Sequence, residues 1–210
     1  MPTRVVALRA AATAYAALLP LLLWRTLVLG SAHVPFDFFE YNFPLAATAY
    51  RALAEGQAPL WDPYTLGGIA LTTNPQVGLF FPPQLVVFGS EMLMGASELS
   101  PYGYQWVAII NWSVLSVGTF LLAWRVTSRL GAGVLASSLV SVAGFLIAQN
   151  QHPGMVGAFS AFPWAVLFFL MLLKSSSWRR STGPFVGLSV ALAYSVSAGW
   201  LPASADVIAS

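Results

Sequence analysis

Long apolar runs alternate with short polar breaks along this chain. Five of the runs approach the roughly 20 mostly apolar residues that a membrane-crossing helix needs: 10–29, 106–124, 131–148, 156–173 and 184–201. Pro20 inside the first predicts a kink, and Arg25 near its end can snorkel to the interface. Gly131, Gly133, Ala136, Ser137, Ser141 and Gly144 give the third run a small-residue surface suited to close packing in lipid. Between the first and second runs, 31–105 mixes polar and apolar positions. Pro44 and Gly56 there frame a predicted helix over 44–55 with Leu45, Ala49, Ala52 and Leu53 on one face, resting on the membrane surface. The apolar stretch 77–95 is broken by Pro82-Pro83 and shortened by Gly89, Ser90 and Glu91, which predicts an interfacial or re-entrant segment beside a cavity. Trp61-Asp62-Pro63, Gly67-Gly68 and Asn74-Pro75-Gln76 are turn signals of a compact, ordered loop. The expected fold is an all-α polytopic transmembrane helical bundle of about five spans, one membrane domain over 1–210, with a long, partly helical first loop.

Charge orients this arrangement. Asp37, Glu40, Glu55, Asp62, Glu91 and Glu98 all lie in the first loop, and Asp206 follows the last run. Arg4, Arg9, Arg125, Arg129, Lys174, Arg179 and Arg180 fall on the opposite side, where no carboxylate lies. Short loops rich in Lys and Arg stay cytoplasmic, so the N-terminus is expected in the cytoplasm and the 31–105 loop outside. A crossing at 77–95 would break that pattern. With 58% hydrophobic and 8% charged residues and a mean hydropathy of +0.74, the chain departs far from the roughly 25% charged average of soluble domains. No basic cluster exceeds the Arg179-Arg180 pair, which sets nucleic acid aside. The absence of cysteine removes disulfides, thiolate metal sites and cysteine nucleophiles together. Arg4 and Arg9 before an apolar run would also suit a signal peptide, but the run continues to Leu29 and reads as a retained first helix.

Three constellations could carry chemistry. Asp37 and Glu40, three apart, would share a helix face and give a general base with a neighbouring carboxylate, or oxygen ligands for a divalent cation such as Mg or Mn. Two solvated loop acids would look the same in sequence. Phe36, Phe38, Phe39 and Tyr41 around them argue for an apolar-walled site. His152, in the polar break before the fourth run, could meet Asp37 at the outer rim as a hydrogen-bond partner, metal ligand or phosphate contact, or serve only as an interfacial anchor. Arg25 and Arg51 are the outward-side cations available to an anionic lipid phosphate. Trp106, Trp124 and Trp164 read as interfacial or packing residues. No phosphate-cradling glycine loop, HExxH site or Ser/His/Asp pattern is present.

The run Asp37 … Tyr41-Asn42-Phe43-Pro44 … Leu60-Trp61-Asp62-Pro63-Tyr64 … Gly67-Gly68 … Asn74-Pro75-Gln76 … Phe80-Phe81-Pro82 resembles the first outer loop of the YfhO family of bacterial membrane proteins. His152 and Phe162-Pro163-Trp164 are similar to later family positions. The resemblance implies a GT-C-type glycosyltransferase of the cytoplasmic membrane. Such an enzyme moves a sugar, with inversion, from a polyprenyl-phosphate carrier to an envelope glycopolymer or lipid outside. Asp37 occupies the place of the family's base or metal contact, and Asn74 and Gln76 in the loop signature are candidate substrate contacts. Members continue through more spans, so the resemblance implies an N-terminal portion or a chain that needs a partner. Where members often carry Gly-His-Pro, this chain reads Gly199-Trp200-Leu201-Pro202. The competing readings are a transporter or flippase fragment and a non-catalytic assembly subunit. A transporter would be expected to carry ionisable or broken-helix sites at mid-membrane depth, and the spans contain almost no such charges.

Overall fold

A computed structural model describes residues 2–200 together with Ala205 and Ile208; Asp206 lies outside the described residues. The fold is an all-α helical bundle with a small cap on one end. In chain order the helices are α1 Pro2–Leu23, α2 Arg25–Val28, a π-helix Phe38–Asn42, α3 Phe43–Ala54, α4 Pro82–Leu93, α5 Pro101–Tyr104, α6 Trp106–Thr127 and α7 Leu130–Ser141. Then come α8 Gly144–Ala148, α9 Pro153–Ser160, α10 Phe162–Leu173 and α11 Trp178–Ser197. A two-stranded antiparallel ribbon, β1 Trp61–Asp62 with β2 Ile69–Ala70, interrupts the cap.

Four helical stretches, Val6–Leu23, Pro101–Thr127, Leu130–Gln151 and Pro153–Leu173, are long and apolar enough to cross a membrane. At 1.5 Å per residue the 22 residues of α6 extend about 33 Å, which matches the hydrocarbon core. The segment expected as a fifth span is helical, as α11, but it opens on Arg179-Arg180 and carries Ser, Gly and Pro through its length, so it is not among the stretches apolar enough to cross. Residue contacts fix the directions. Arg9 meets Trp124 and Trp24 meets Trp112, so α1 and α6 run antiparallel. Gly133 faces Phe120 and Ser141 donates to Ser116, so α7 reverses again. Asn111 reaches Pro153 and Trp164 reaches Val114, so α9 and α10 run with α6, and α11 returns with Gly187 against Phe168.

Pro20 does not end α1; the helix runs through it and breaks at Trp24. Pro82 and Pro83, read in the sequence as helix breakers, instead open α4, because proline's missing N–H costs nothing in the first turn. With 12 residues α4 spans about 18 Å, too short to cross. Helix α3 forms almost as expected, with Pro44 in its first turn and Gly56 at φ +73° beyond its end. Its buried face differs: Leu45, Ala46, Ala49 and Tyr50 are inside, while Leu53 is exposed. Tyr50 causes the rotation, since its ring meets Phe88 edge-on and its hydroxyl donates to the Ala96 carbonyl at 2.6 Å. The apolar face of α3 therefore covers protein. Burial, and secondarily the Glu91 carboxylate, pushes the Tyr50 phenol above its ordinary pKa.

The largest core joins the cap to the ends of the spans, with Phe38, Tyr50, Leu71, Val77 and Phe88 from the cap packed with Val107, Ile109, Ala158 and Ala198. The bundle itself packs through small residues. A Cβ on Gly118 would come within 2.5 Å of Trp164 Nε1, whose N–H donates to the Val114 carbonyl at 2.9 Å. Gly118→Val should therefore overpack the α6–α10 contact and cost about 1–3 kcal/mol. Gly131→Ala, where nothing lies within 4 Å, should be neutral or stabilising by about 0.5–1 kcal/mol through helix propensity. Thermal unfolding of both variants in one detergent checks the contrast, and equal transitions would count against close packing at Gly118.

Candidate functional site

The chain enters the cap through a strained segment. Phe36 sits at φ +57°, uncommon for a bulky side chain, and the next turn is a π-helix, Phe38–Asn42. The wider turn moves residues three apart off a common face and brings residues four and five apart together. Asp37, Tyr41 and Asn42 consequently line one cavity, whereas Glu40 is exposed and outside it. Asn42 locks the turn, its Nδ2 donating to the Asp37 carbonyl at 2.9 Å and to the Gln151 carbonyl at 3.4 Å. The second bond joins the cap to the α8–α9 connection. Strain and π-turns recur at functional sites because the surrounding structure must hold them in place.

The cavity, of about 300 Å³, is lined by Asp37, Tyr41, Asn42, Gln76, His152, Gly154 and Trp200. His152 Nδ1 lies 3.6 Å from Asp37 Oδ2, and the imidazole packs against Trp200 with ring centroids 5.3 Å apart. The two side chains are unequally covered, 53% exposed for Asp37 and 23% for His152. The apolar burial expected from the aromatic neighbours of Asp37 does not occur: Phe38 turns into the core and Phe36 faces outward. Asn74 Nδ2 donates to the Tyr41 hydroxyl at 3.1 Å, and its Oδ1 accepts from the Gln76 backbone at 3.1 Å, setting Gln76 at the cavity wall.

Two glycines allow the walls to close. A Cβ on Gly154 would come within 2.5 Å of the Ala198 carbonyl oxygen. Gly199 stands at φ +79°, and a Cβ there would overlap the Pro75 carbonyl. Only glycine brings the end of α11 against the Asn74-Pro75-Gln76 turn, with Trp200 beside His152.

Asp37 and His152, 115 positions apart, thus meet as the sequence allowed, and Gln76 and Asn74 stand with them. Arg51 does not join them; its guanidinium pairs with Glu98 at 3.4 Å, both side chains being well exposed. Arg25, in the first turn of α2, is exposed and outside the lining. His33 packs on Phe39. Asp62 is buried, accepting from the Tyr64 N–H and the Thr65 hydroxyl, and holds the β1–β2 turn. Tyr41, Asn42, Gly154 and Trp200 were not singled out from sequence as site residues, although the Gly199-Trp200 departure marked the last.

For a divalent cation the donor set is thin. Asp37 and His152 supply one carboxylate and one imidazole, Glu40 does not converge with them, and among the described residues no group of three or more His, Asp and Glu side chains gathers. The cavity fits a polar ligand instead: a carboxylate to accept a proton, an imidazole to donate or accept, two amides, and an indole wall for the face of a sugar or another ring. Comparison with family models, curated proteins and solved structures returns no match. The resemblance to the YfhO family therefore rests on the loop residues quoted above.

Gly199→Ala should lower stability more than Gly67→Ala. Gly67, at φ +80°, has open space around it and carries only the backbone penalty of about 1–2 kcal/mol. Gly199 adds the collision with Pro75. Thermal unfolding of the two variants measures the difference, and an equal loss would show that residue 199 does not close on the turn.

Proposed function

We propose that this chain acts in a membrane glycosyltransferase that takes a sugar from a polyprenyl-phosphate carrier and transfers it, with inversion, to an envelope glycopolymer or lipid outside the cytoplasmic membrane. One observation carries the reading: Asp37 and His152 stand side by side in the wall of a cavity of about 300 Å³ at the acidic end of an apolar bundle. That volume is at the small end of ligand pockets. Asp37 takes the proton of the acceptor hydroxyl as its oxygen attacks the anomeric carbon. The bond from that carbon to the carrier's phosphate oxygen breaks, and its electron pair leaves with the phosphate. His152 donates to the departing phosphate or orients Asp37, and Trp200, Asn42 and Gln76 hold the sugar. An apolar cavity of about 390 Å³ between α6, α10 and α11, lined by Val114, Trp164, Phe168 and Val190 among others, suits the carrier's prenyl tail.

Asp37→Asn should lower sugar transfer by roughly 10²- to 10⁴-fold, the usual worth of general-base assistance. Glu40→Gln, outside the cavity, should change it little. Transfer from a polyprenyl-phosphate donor in membranes carrying the full-length protein reads both, after each variant is shown to insert and accumulate normally. Near-normal transfer by Asp37→Asn would remove that residue from catalysis.

The orientation is open to a second test, because the chain has no cysteine of its own. Thr73 and Ser128 are both exposed, one in the cap and the other at the far end of α6. Thr73→Cys should react with an impermeant thiol reagent in intact cells and Ser128→Cys only after lysis; the reverse pattern would turn the protein over.

A further inference from the structure

The end of the bundle opposite the Asp37 cavity carries a second recess, of about 390 Å³, where α1, α6 and α10 meet. Arg9, Trp124, Arg125 and Ser128 contribute its polar and interfacial lining, and Leu167 and Met171 its apolar wall. The Arg9 guanidinium stands over the Trp124 ring, 5.1 Å from the centroid, which orients it without using its N–H donors. Among the described residues neither Arg9 nor Arg125 has a side-chain hydrogen bond or a carboxylate partner. The acids from Asp37 to Glu98 belong to the cap at the other end, so among the described residues no carboxylate competes there. Ser128, at φ +59° beyond the end of α6, adds a hydroxyl.

We infer that this recess holds the phosphate of an anionic phospholipid, bridged by Arg9 and Arg125, with the acyl chain along Leu167 and Met171. Two guanidiniums with free donors fit phosphate oxygens. The apolar wall and the interfacial tryptophan, at the end of membrane-length helices, select a phosphate that carries a hydrocarbon chain over a free ion. Arg129, Lys174, Arg179 and Arg180 at the same end raise the local concentration of anionic headgroups without lining the recess.

The test uses the full chain in nanodiscs containing phosphatidylcholine with a minor fraction of phosphatidylglycerol, and reads the retained lipid by native mass spectrometry. The unaltered chain should retain phosphatidylglycerol in preference to phosphatidylcholine. Arg9→Gln with Arg125→Gln should reduce that preference on the order of tenfold or more. Arg179→Gln with Arg180→Gln, which removes the same charge outside the recess, should keep most of it. Equal loss in the two pairs would reduce the effect to diffuse surface charge and overturn the site. Equal retention of the two lipids by the unaltered chain would overturn it without any variant. Displacement of the lipid by millimolar inorganic phosphate would reassign the recess to a soluble anion. Should the Arg9/Arg125 pair fail to accumulate, Arg125→Lys keeps the charge and loses the bidentate fork; an unchanged lipid preference there would exclude the bridging geometry.

Discussion

The arrangement of this protein hangs on two consecutive residues of α6. Asn111 accepts the Tyr194 hydroxyl at 2.7 Å and donates to the Pro153 carbonyl, while Trp112 donates its indole N–H to Asn150 Oδ1 at 3.2 Å. Asn150 and Pro153 flank His152, and Tyr194 sits one turn before the end of α11 that carries Gly199 and Trp200. Both elements that bring side chains to the cavity from the bundle are thus referenced to one point on the most enclosed helix. In lipid such bonds contribute modestly, about 0.6 kcal/mol on average. Their worth here is positional, because apolar helices sliding in an apolar solvent have little else to set their register.

Different physics holds the cap. Its core of Phe38, Tyr50, Leu71, Val77 and Phe88 is built like that of a water-soluble domain, from large apolar side chains. Helix α7 buries mainly Gly133, Ser137 and Ser141 and leaves Leu135 and Leu139 exposed. The cavity lies where these two kinds of packing meet, with one wall from the cap's π-turn and the other from the helix ends. A polar recess beside apolar surface suits a ligand that is itself part polar and part hydrocarbon.

Much of this was legible in the sequence because runs of apolar residues and proline–glycine punctuation report local structure. Four of the five expected spans and the short helix beginning near Pro44 follow from those signals, whereas the meeting of Asp37 with His152 was one of two readings that the sequence left open for that histidine. What was hidden depended on tertiary contacts. The pairing of Asp37 with Glu40 assumed an α-helical turn, and a π-turn leaves no mark that spacing can reveal. The buried face of α3 turned on where Tyr50 found a carbonyl. Arg51 looked available for phosphate until Glu98, 47 positions later, came within 3.4 Å. Trp200 was visible as an oddity but became a wall of the site only through the close approach of Gly199 to Pro75.

The cap core also has a consequence for biosynthesis. Its residues from 34 to 109 leave the ribosome well before Ala158 and Ala198, which complete the same cluster. A nascent chain that has threaded only its early helices through the translocon therefore holds a cap with an open apolar side. The closing piece arrives with α11, and with it the indole that backs His152. Assembly of the recess is thereby coupled to insertion of α11, so a chain stalled earlier in translation would hold the Asp37 loop without the cavity behind it.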